Sequence, residues 1–149
     1  MSKKENELGK YLNDVKFNYF CTFTTPYKMT LASARRAVER FGKLIEKYYP
    51  KFFMFWSAEP FDLKEGYHLH SLIKTNSDKT TTTYLDKKAI NEVWQIATKG
   101  SSIKAKSNRV DIKKYKIGKK GSNYFCKYIN RPHSDYDIVY GKNYSISLP

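Results

Sequence analysis

The hydrophobic and polar positions of this chain follow two different periods, and the period changes several times along its length. Residues 17–25, 51–59 and 67–75 are runs rich in aromatic and β-branched side chains, each bounded by proline, glycine or polar turn residues. Such runs are typical of β-strands. Because only residues 60–66 separate the last two runs, the sequence predicts that they pair as an antiparallel hairpin.

Two segments show the three- and four-residue spacing of apolar side chains that is typical of an amphipathic helix. The first covers residues 31–49, follows the candidate N-cap Thr30 and ends before a proline. The second covers residues 84–98. A third, shorter helix is predicted for residues 123–131. The predicted buried side of the second helix consists of Leu85, Ala89, Ile90, Val93, Trp94 and Ala97.

The remaining segments are less regular. Residues 102–117 alternate often enough between polar and apolar side chains to form one strand or a ragged hairpin, whereas residues 132–149 form a tyrosine-rich tail without an assignment. Residues 1–15 are polar, and we expect them to be flexible. The predicted order is β-α-β-β-α-β-α, without an internal repeat or a long linker. We therefore expect one domain, residues 1–149, of the α+β class, with a mainly antiparallel sheet flanked by helices.

The charge balance of the chain is strongly basic. It has 28 Lys and Arg against 14 Asp and Glu, a formal net charge of +14. This excess favours a polyanionic partner, nucleic acid before an anionic membrane. A membrane partner is not expected, because no apolar run approaches the ~20 residues of a spanning helix. The lysine-rich start has no secretory apolar stretch, and Cys21 and Cys126 suggest no disulfide framework, which fits the cytosol.

Basic residues are concentrated between residues 99 and 131, where only Asp111 is acidic. Tyrosines such as Tyr115 are interleaved with them. This combination is typical of a groove for single-stranded nucleic acid, in which cations follow the phosphates and rings stack on the bases. A solvated basic face without a partner is the alternative. The candidate DNA-binding residues are Lys104, Lys106, Arg109, Lys113, Lys114, Lys116, Lys119, Lys120 and Arg131.

Two of the three histidines stand one residue apart in the third predicted strand, in the stretch "YHLHSLI". Because side chains alternate across a strand, His68 and His70 point to the same side of the sheet. They are either polar residues on a solvated face or two ligands of a metal ion. If the hairpin pairs Glu59 with His68, a carboxylate joins the imidazoles. That donor set suits a divalent ion such as Mn²⁺ or Mg²⁺, and it would also hold Zn²⁺.

The carboxylate of this candidate site depends on the register of the hairpin. A slip of one residue would turn Glu59 to the other face of the sheet. Glu65 or Glu92 would then compete for the role of third ligand. The alternative interpretation of Glu59 is a surface carboxylate at the end of a strand.

A second candidate for chemistry is the stretch "YFCKYINR", residues 124–131. On a helix, Tyr124 and Tyr128 share one face, and Lys127 and Arg131 each follow a tyrosine by three residues. The stretch is either an amphipathic helix with an aromatic core stripe or a nucleophile site. A tyrosine can attack a phosphodiester and retain one DNA end as a phosphotyrosine. A nearby cation and a metal ion would stabilise the charge of that transfer.

The order of "HLHSLI" and "YFCKYINR" resembles the HUH endonucleases, in particular the rolling-circle replication initiators with the pattern Y-x-x-K-Y-x-x-K found in small single-stranded DNA phages and plasmids. The resemblance covers roughly residues 20–131, with "FCTFTT" in the place of the first-motif strand. It implies a five-stranded antiparallel sheet and a Mn²⁺ or Mg²⁺ site. The implied ligands are His68, His70 and Glu59.

The same resemblance implies an activity: nicking and rejoining of single-stranded DNA at a replication origin through a 5′-phosphotyrosine, with a free 3′-hydroxyl. Tyr124 and Tyr128 are the implied nucleophiles, and we favour Tyr124 as the first because Lys127 follows it at the offset of the family. Arg131 departs from the family pattern, which has a second lysine there. Since "GKKGS" is not a phosphate-binding P-loop, a separate helicase is an expected partner.

Two other functions are compatible with the sequence. A transposase of a mobile element uses the same chemistry, although it usually has one tyrosine rather than a pair. A non-catalytic, basic nucleic-acid-binding domain would need neither the histidines nor the tyrosines for chemistry. The histidines precede the tyrosines here, as in replication initiators, whereas conjugative relaxases have the reverse order.

Overall fold

The computed structural model describes residues 7, 10–12, 14–75, 83–99, 110–115 and 135–144. The described strands are β1 (Tyr19–Phe23), β2 (Phe53–Pro60), β3 (Tyr67–Lys74), β4 (Val110–Lys114) and β5 (Asp135–Tyr140). The helices with defined bounds are α1 (Leu31–Ile45) and α2 (Tyr84–Lys99). The strands form one antiparallel sheet in the order β4-β1-β3-β2-β5. The predicted α+β class, the five-stranded sheet and the β2–β3 hairpin are confirmed.

Helix α1 begins where the sequence predicts and ends earlier. The Thr30 hydroxyl accepts a hydrogen bond from Ser33 N at 3.0 Å, and Ser33 Oγ accepts one from Thr30 N at 2.8 Å. This reciprocal pair satisfies two of the donors that a helix start leaves open. At the other end, residues 46–48 form a turn instead of continuing the helix to residue 49. Three-residue backbone bonds, such as Tyr48 N to Ile45 O, close this last turn.

The two helices pack on one face of the sheet, which we call the helix face. Trp94 of α2 stacks on Phe23 of β1 with 4.5 Å between ring centroids, and Phe41 of α1 lies against the same two rings. Leu85, predicted to be buried, is 71% exposed, so that prediction is wrong. The main core consists of Tyr19, Cys21, Phe23, Met29, Ala34, Ala37, Val38, Phe41, Ile45, Phe52, Met54, Trp56, Ala58, Leu69, Ile73, Ile90, Val93, Trp94 and Ala97.

Asp86 takes the inward place near the start of α2 that the sequence assigned to Leu85. Its carboxylate accepts hydrogen bonds from the hydroxyls of Tyr19, at 2.6 Å, and Tyr49. Burial, followed by the bond to Asp86, raises the pKa of both phenols well above their usual range. Thr83 N donates in turn to the Tyr19 hydroxyl at 3.0 Å. This polar cluster fastens the first turn of α2 to the sheet and to the end of α1.

The opposite face, which we call the site face, carries a second apolar cluster over part of its area. Phe53, Phe55 and Leu72 project into this cluster from β2 and β3. Leu12 and Val15, from the segment expected to be flexible, are 0% and 8% exposed and pack there. The packed part of the chain therefore begins before residue 16.

Strand β5 lies in the tail that the sequence analysis left without an assignment. It pairs with β2 at one edge of the sheet. The Arg35 guanidinium of α1 bonds to Asp135 at 2.9 Å and to Asp137 at 2.8 Å, and it lies 5.2 Å from the centroid of the Trp56 ring. A forked guanidinium is well suited to hold two carboxylates in a fixed geometry. These contacts fix the edge strand to the helix layer.

Other expectations concern segments outside the described residues. The predicted helix 123–131 and the second cysteine, Cys126, lie there. Cys21 is buried as a free cysteine, and burial raises the pKa of its thiol. Among the residues that the structure describes, no helix has the length and apolar character needed to cross a membrane.

The Asp86 cluster leads to a prediction about stability. Asp86→Ala leaves the buried Tyr19 phenol and the half-buried Tyr49 phenol without their acceptor, and we expect it to lower the free energy of unfolding by about 2–4 kcal/mol. Glu92→Ala on the same helix is the matched control, because its ion pair with Lys88 is exposed and 4.0 Å long. We expect less than about 0.5 kcal/mol for the control. Urea denaturation followed by circular dichroism measures both; equal losses would contradict the assigned role of Asp86.

Candidate metal centre

The register of the β2–β3 hairpin decides whether a carboxylate joins the two histidines. Glu59 pairs directly with His68, and Ser57 pairs with His70. This is the register on which the predicted site depends. Because directly opposed residues share a face, Glu59, His68 and His70 all project from the site face. One ligand atom from each lies within 4.8 Å of the other two.

The distances inside this trio are short enough for one ion to contact all three side chains. His68 Nε2 lies 2.9 Å from His70 Nε2, and His70 Nε2 lies 3.5 Å from Glu59 Oε2. Glu59 is only 4% exposed. Two imidazole nitrogens and one carboxylate oxygen fit a divalent cation that keeps further coordination positions for water or substrate.

The environment keeps both imidazoles in the form that binds metals. Burial, and then the neighbouring His68, lowers the pKa of His70 to about 4. Burial is also the main cause that lowers the pKa of His68. Both rings are therefore neutral at pH 7, with lone pairs available for a cation. The contact between His70 and Glu59 is for the same reason not an ion pair at that pH.

Thr22 of β1 contacts the Nδ1 side of the His70 ring. It pairs with His70 across the sheet, and its Oγ1 lies 3.3 Å from His70 Nδ1. In the tautomer whose Nδ1–H donates to Thr22 Oγ1, Nε2 of His70 keeps its lone pair and faces His68 Nε2 at 2.9 Å. A hydrogen bond at the second ring nitrogen commonly orients a metal-binding histidine. Thr22 is therefore placed where it can orient the His70 ring.

Phe61 supports the other histidine. Its ring stacks on that of His68 with 4.7 Å between centroids and an angle of 29°. His68 Nδ1 is buried and has no hydrogen-bond partner among the described residues. Sequence reasoning missed both Phe61 and Thr22. Phe61 directly follows Glu59 and Pro60, so a search next to the ligand could have found it, whereas Thr22 required the β1–β3 register.

The two competing carboxylates lie elsewhere. Glu65 is 83% exposed and pairs with Lys28 at 2.8 Å. Glu92 is on α2, which packs on the helix face, and its described ion pair is with Lys88. Of the three carboxylates considered, the structure brings only Glu59 to the histidines.

The structure describes few of the other predicted site residues. The catalytic candidates Tyr124, Lys127 and Tyr128 lie outside the described residues. Lys113 and Lys114 are exposed on the edge strand β4, and Lys113 Nζ lies 3.4 Å from Asp111. The remaining DNA-binding candidates also lie outside the described residues: Lys104, Lys106, Arg109, Lys116, Lys119, Lys120 and Arg131.

Comparisons with known proteins do not identify a family for this chain. No protein-family model matches the chain, and neither a curated protein nor a solved structure matches it. The chemistry of the site must therefore be argued from its own residues.

The ligand set predicts metal-dependent stabilisation. We expect Mn²⁺ to raise the melting temperature of the protein, because an ion that binds only the folded state stabilises it by mass action. His68→Ala and Glu59→Gln should remove most of that shift. Glu65→Gln is the matched control and should keep it. Differential scanning fluorimetry with and without Mn²⁺ measures the effect; an undiminished shift in His68→Ala would rule out this binding site.

The depressed pKa of His70 predicts acid sensitivity of the metal-free protein. The folded-state pKa of about 4 lies below the ordinary value of 6.5, so the unfolded chain takes up the proton first. The stability gained from the neutral ring is thus complete above about pH 6.5 and is lost progressively toward about pH 4. In EDTA, His70→Gln should show a shallower loss of unfolding free energy across this window. Parallel pH profiles of the two proteins would contradict the assignment.

Proposed function

We propose that this protein is a metal-dependent endonuclease and strand transferase for single-stranded DNA, of the kind that initiates rolling-circle replication in the cytosol. The observation that carries the proposal is the convergence of Glu59, His68 and His70 on one face of the sheet, within 4.8 Å of one another. The net charge of +14 supports a polyanionic substrate. The tyrosine stretch at 124–131 supplies the nucleophile in this proposal.

The proposed reaction is a transesterification at a DNA phosphate. Glu59, His68 and His70 would hold a divalent cation, which would supply Lewis-acid polarisation of the scissile phosphate. The Tyr124 hydroxyl attacks phosphorus, a bond forms between the phenol oxygen and phosphorus, and the bond from phosphorus to the 3′-oxygen breaks. The phenol proton is lost and the departing 3′-oxygen gains one, which leaves a 3′-hydroxyl. Lys127 stabilises the phenolate, whose ordinary pKa near 10 otherwise disfavours attack at pH 7.

The phosphotyrosine retains the energy of the broken bond, so rejoining requires no nucleotide cofactor. Attack by a 3′-hydroxyl on the phosphotyrosine restores a phosphodiester and releases the phenol. Tyr128, on the same predicted helical face as Tyr124, takes part in a second transfer in this scheme. A separate helicase would supply the single strand.

The strand order supports this use of the segment between β4 and β5. The described chain leaves β4 at Tyr115, at one edge of the sheet, and enters β5 at Asp135, at the other edge. Asp135 pairs with Ala58, the neighbour of Glu59. The covalent connection between these edges therefore starts and ends on opposite sides of the two strands that carry the ligands. A tyrosine nucleophile from the segment between β4 and β5 is compatible with these end points.

The proposal predicts a covalent protein–DNA adduct. We would incubate the protein and Mn²⁺ with a random-sequence pool of single-stranded DNA labelled at the 3′ end, since a 5′-phosphotyrosine retains the downstream fragment. A labelled band that survives denaturation is expected. The Tyr124→Phe/Tyr128→Phe double variant should reduce it by at least about 10³-fold. Tyr84→Phe, at an exposed tyrosine of α2, is the matched control.

The same assay separates the enzyme from a binding module. His68→Ala should abolish the adduct while it retains most of the DNA affinity, because the basic residues are unchanged. A protein that binds DNA and forms no adduct under these conditions is a non-catalytic binding domain. Cleavage that persists undiminished in the double tyrosine variant would refute the proposed mechanism.

A further inference from the structure

A cleft beside the candidate metal centre has the composition of a binding site for a nucleotide. It has a volume of about 390 Å³, which falls within the roughly 300–1,000 Å³ of small-molecule sites. Two loops enclose it, the one that joins β1 to α1 and the one that joins β2 to β3. Its walls include Tyr27, Phe61 and Tyr67 together with Lys28 and Lys64, and Lys28 pairs there with Glu65 at 2.8 Å.

Two backbone hydrogen bonds define the cleft: the first joins the two loops, and the second closes the β2–β3 loop. Tyr67 N donates to Met29 O at 3.1 Å, and Phe61 N donates to Gly66 O at 3.0 Å. Gly66 has a φ of 101°, a conformation that favours glycine, and its Cα faces Met29 and the Lys28 side chain. The walls are thereby positioned before any ligand arrives.

Phe61 joins the cleft to the metal centre. The ring that stacks on His68 is also a wall of the cleft, and Lys64 Nζ lies 4.2 Å from its centroid. Because Lys64 is exposed, its ammonium can move from the ring to a phosphate without disturbing the fold. A nucleotide next to a phosphate at the metal centre would therefore reach these rings and this cation.

A second cleft continues from the first and is basic. The two share Tyr27 and Lys28, and the second extends between the start of α1 and the end of α2 with a volume of about 570 Å³. Arg36 and Arg40 line it with Thr30 and Ser33, and its described lining contains no carboxylate. Arg40 Nε donates to Ala97 O at 2.8 Å, which holds that guanidinium in place. The first turn of α1 has no acidic residue to offset the positive end of the helix dipole.

We propose that the two clefts form one groove for single-stranded DNA that leads away from the metal centre. An unpaired base stacks on Tyr27 in the first cleft, and the following phosphates pair with Arg36 and Arg40. The identity of the ligand rests on the proposed function. Rings that take bases and cations that track phosphates are the two components of sequence-tolerant recognition of single strands. The groove residues named here do not belong to the basic segment 99–131 that the sequence pointed to.

The test measures binding without cleavage. Fluorescence anisotropy in EDTA would follow a fluorescein-labelled oligothymidine and an abasic oligonucleotide of equal length. We expect Tyr27→Ala to weaken binding of oligothymidine by about 5- to 150-fold and to leave binding of the abasic chain unchanged, whereas Tyr27→Phe keeps the affinity. Tyr48→Ala, at a 61% exposed tyrosine beyond the far end of α1, is the matched control.

The phosphate half of the groove has its own measurement. Arg36→Ala should reduce the slope of log affinity against log salt by about 0.7 for both oligonucleotides, as expected for one lost phosphate contact. Lys47→Ala removes the same charge beyond the far end of α1 and should leave the slope unchanged. A slope for Arg36→Ala equal to that of the wild type would overturn the phosphate path. A loss in Tyr27→Ala no greater than in Tyr48→Ala, or equal for both oligonucleotides, would overturn the stacking site.

Failure of the groove and failure of the proposed enzyme give different results. If the wild type forms the covalent adduct and Tyr27→Ala binds oligothymidine normally, the groove is wrong and the nickase remains. If Tyr27→Ala and Arg36→Ala behave as expected and no adduct forms with the DNA pool, the proposed nickase is wrong and the single-strand binding groove remains.

Discussion

The backbone register between β2 and β3 is the constraint on which the candidate site depends. It pairs Glu59 with His68 and thereby brings a carboxylate to the face that carries both imidazoles. A shift by one residue would move Glu59 to the opposite face, among the core residues beneath α1 and α2. Core packing opposes that shift, because it would also bring core side chains such as Trp56 and Ala58 out of the helix face. The packing of the core and the geometry of the site are thus set by the same pairing.

The two faces of the sheet differ in their packing and in the side chains they carry. The helix face holds the large core, and the polar contacts of Asp86 and Arg35 tie the helices to the sheet there. The site face packs a smaller apolar cluster around Phe53 and Leu72, and it leaves the end near His68 to polar side chains. Burial on this face is nevertheless deep enough to keep the imidazoles neutral. Stability and candidate chemistry are therefore placed on opposite sides of the same strands.

Local patterns predicted most of the fold, and they did so where periodicity and turn residues agreed. The hairpin, the capped start of α1 and the extent of α2 follow from such patterns. Strand β5 was missed although "DYDIVY" alternates, because a short tyrosine-rich tail has no strong boundary signals and its pairing with β2 is a long-range contact. Leu85 was assigned to the core by spacing alone. The burial of Asp86 depends on two distant phenols, which no local pattern reveals.

The sequence predicted the ligands of the candidate site but not the residues that surround them. The spacing of His68 and His70 and the shortness of the hairpin were enough to suggest Glu59 as a partner. Thr22 and Phe61 required tertiary information, because one lies across the sheet and the other acts through ring contact. The ligands come from neighbouring strands in the interior of the sheet, each hydrogen-bonded on both sides. An ion shared by Glu59 and His68 would consequently cross-link β2 and β3 next to their turn and close a short ring through residues 60–67. Occupancy of the site would then be coupled to the conformation of that loop.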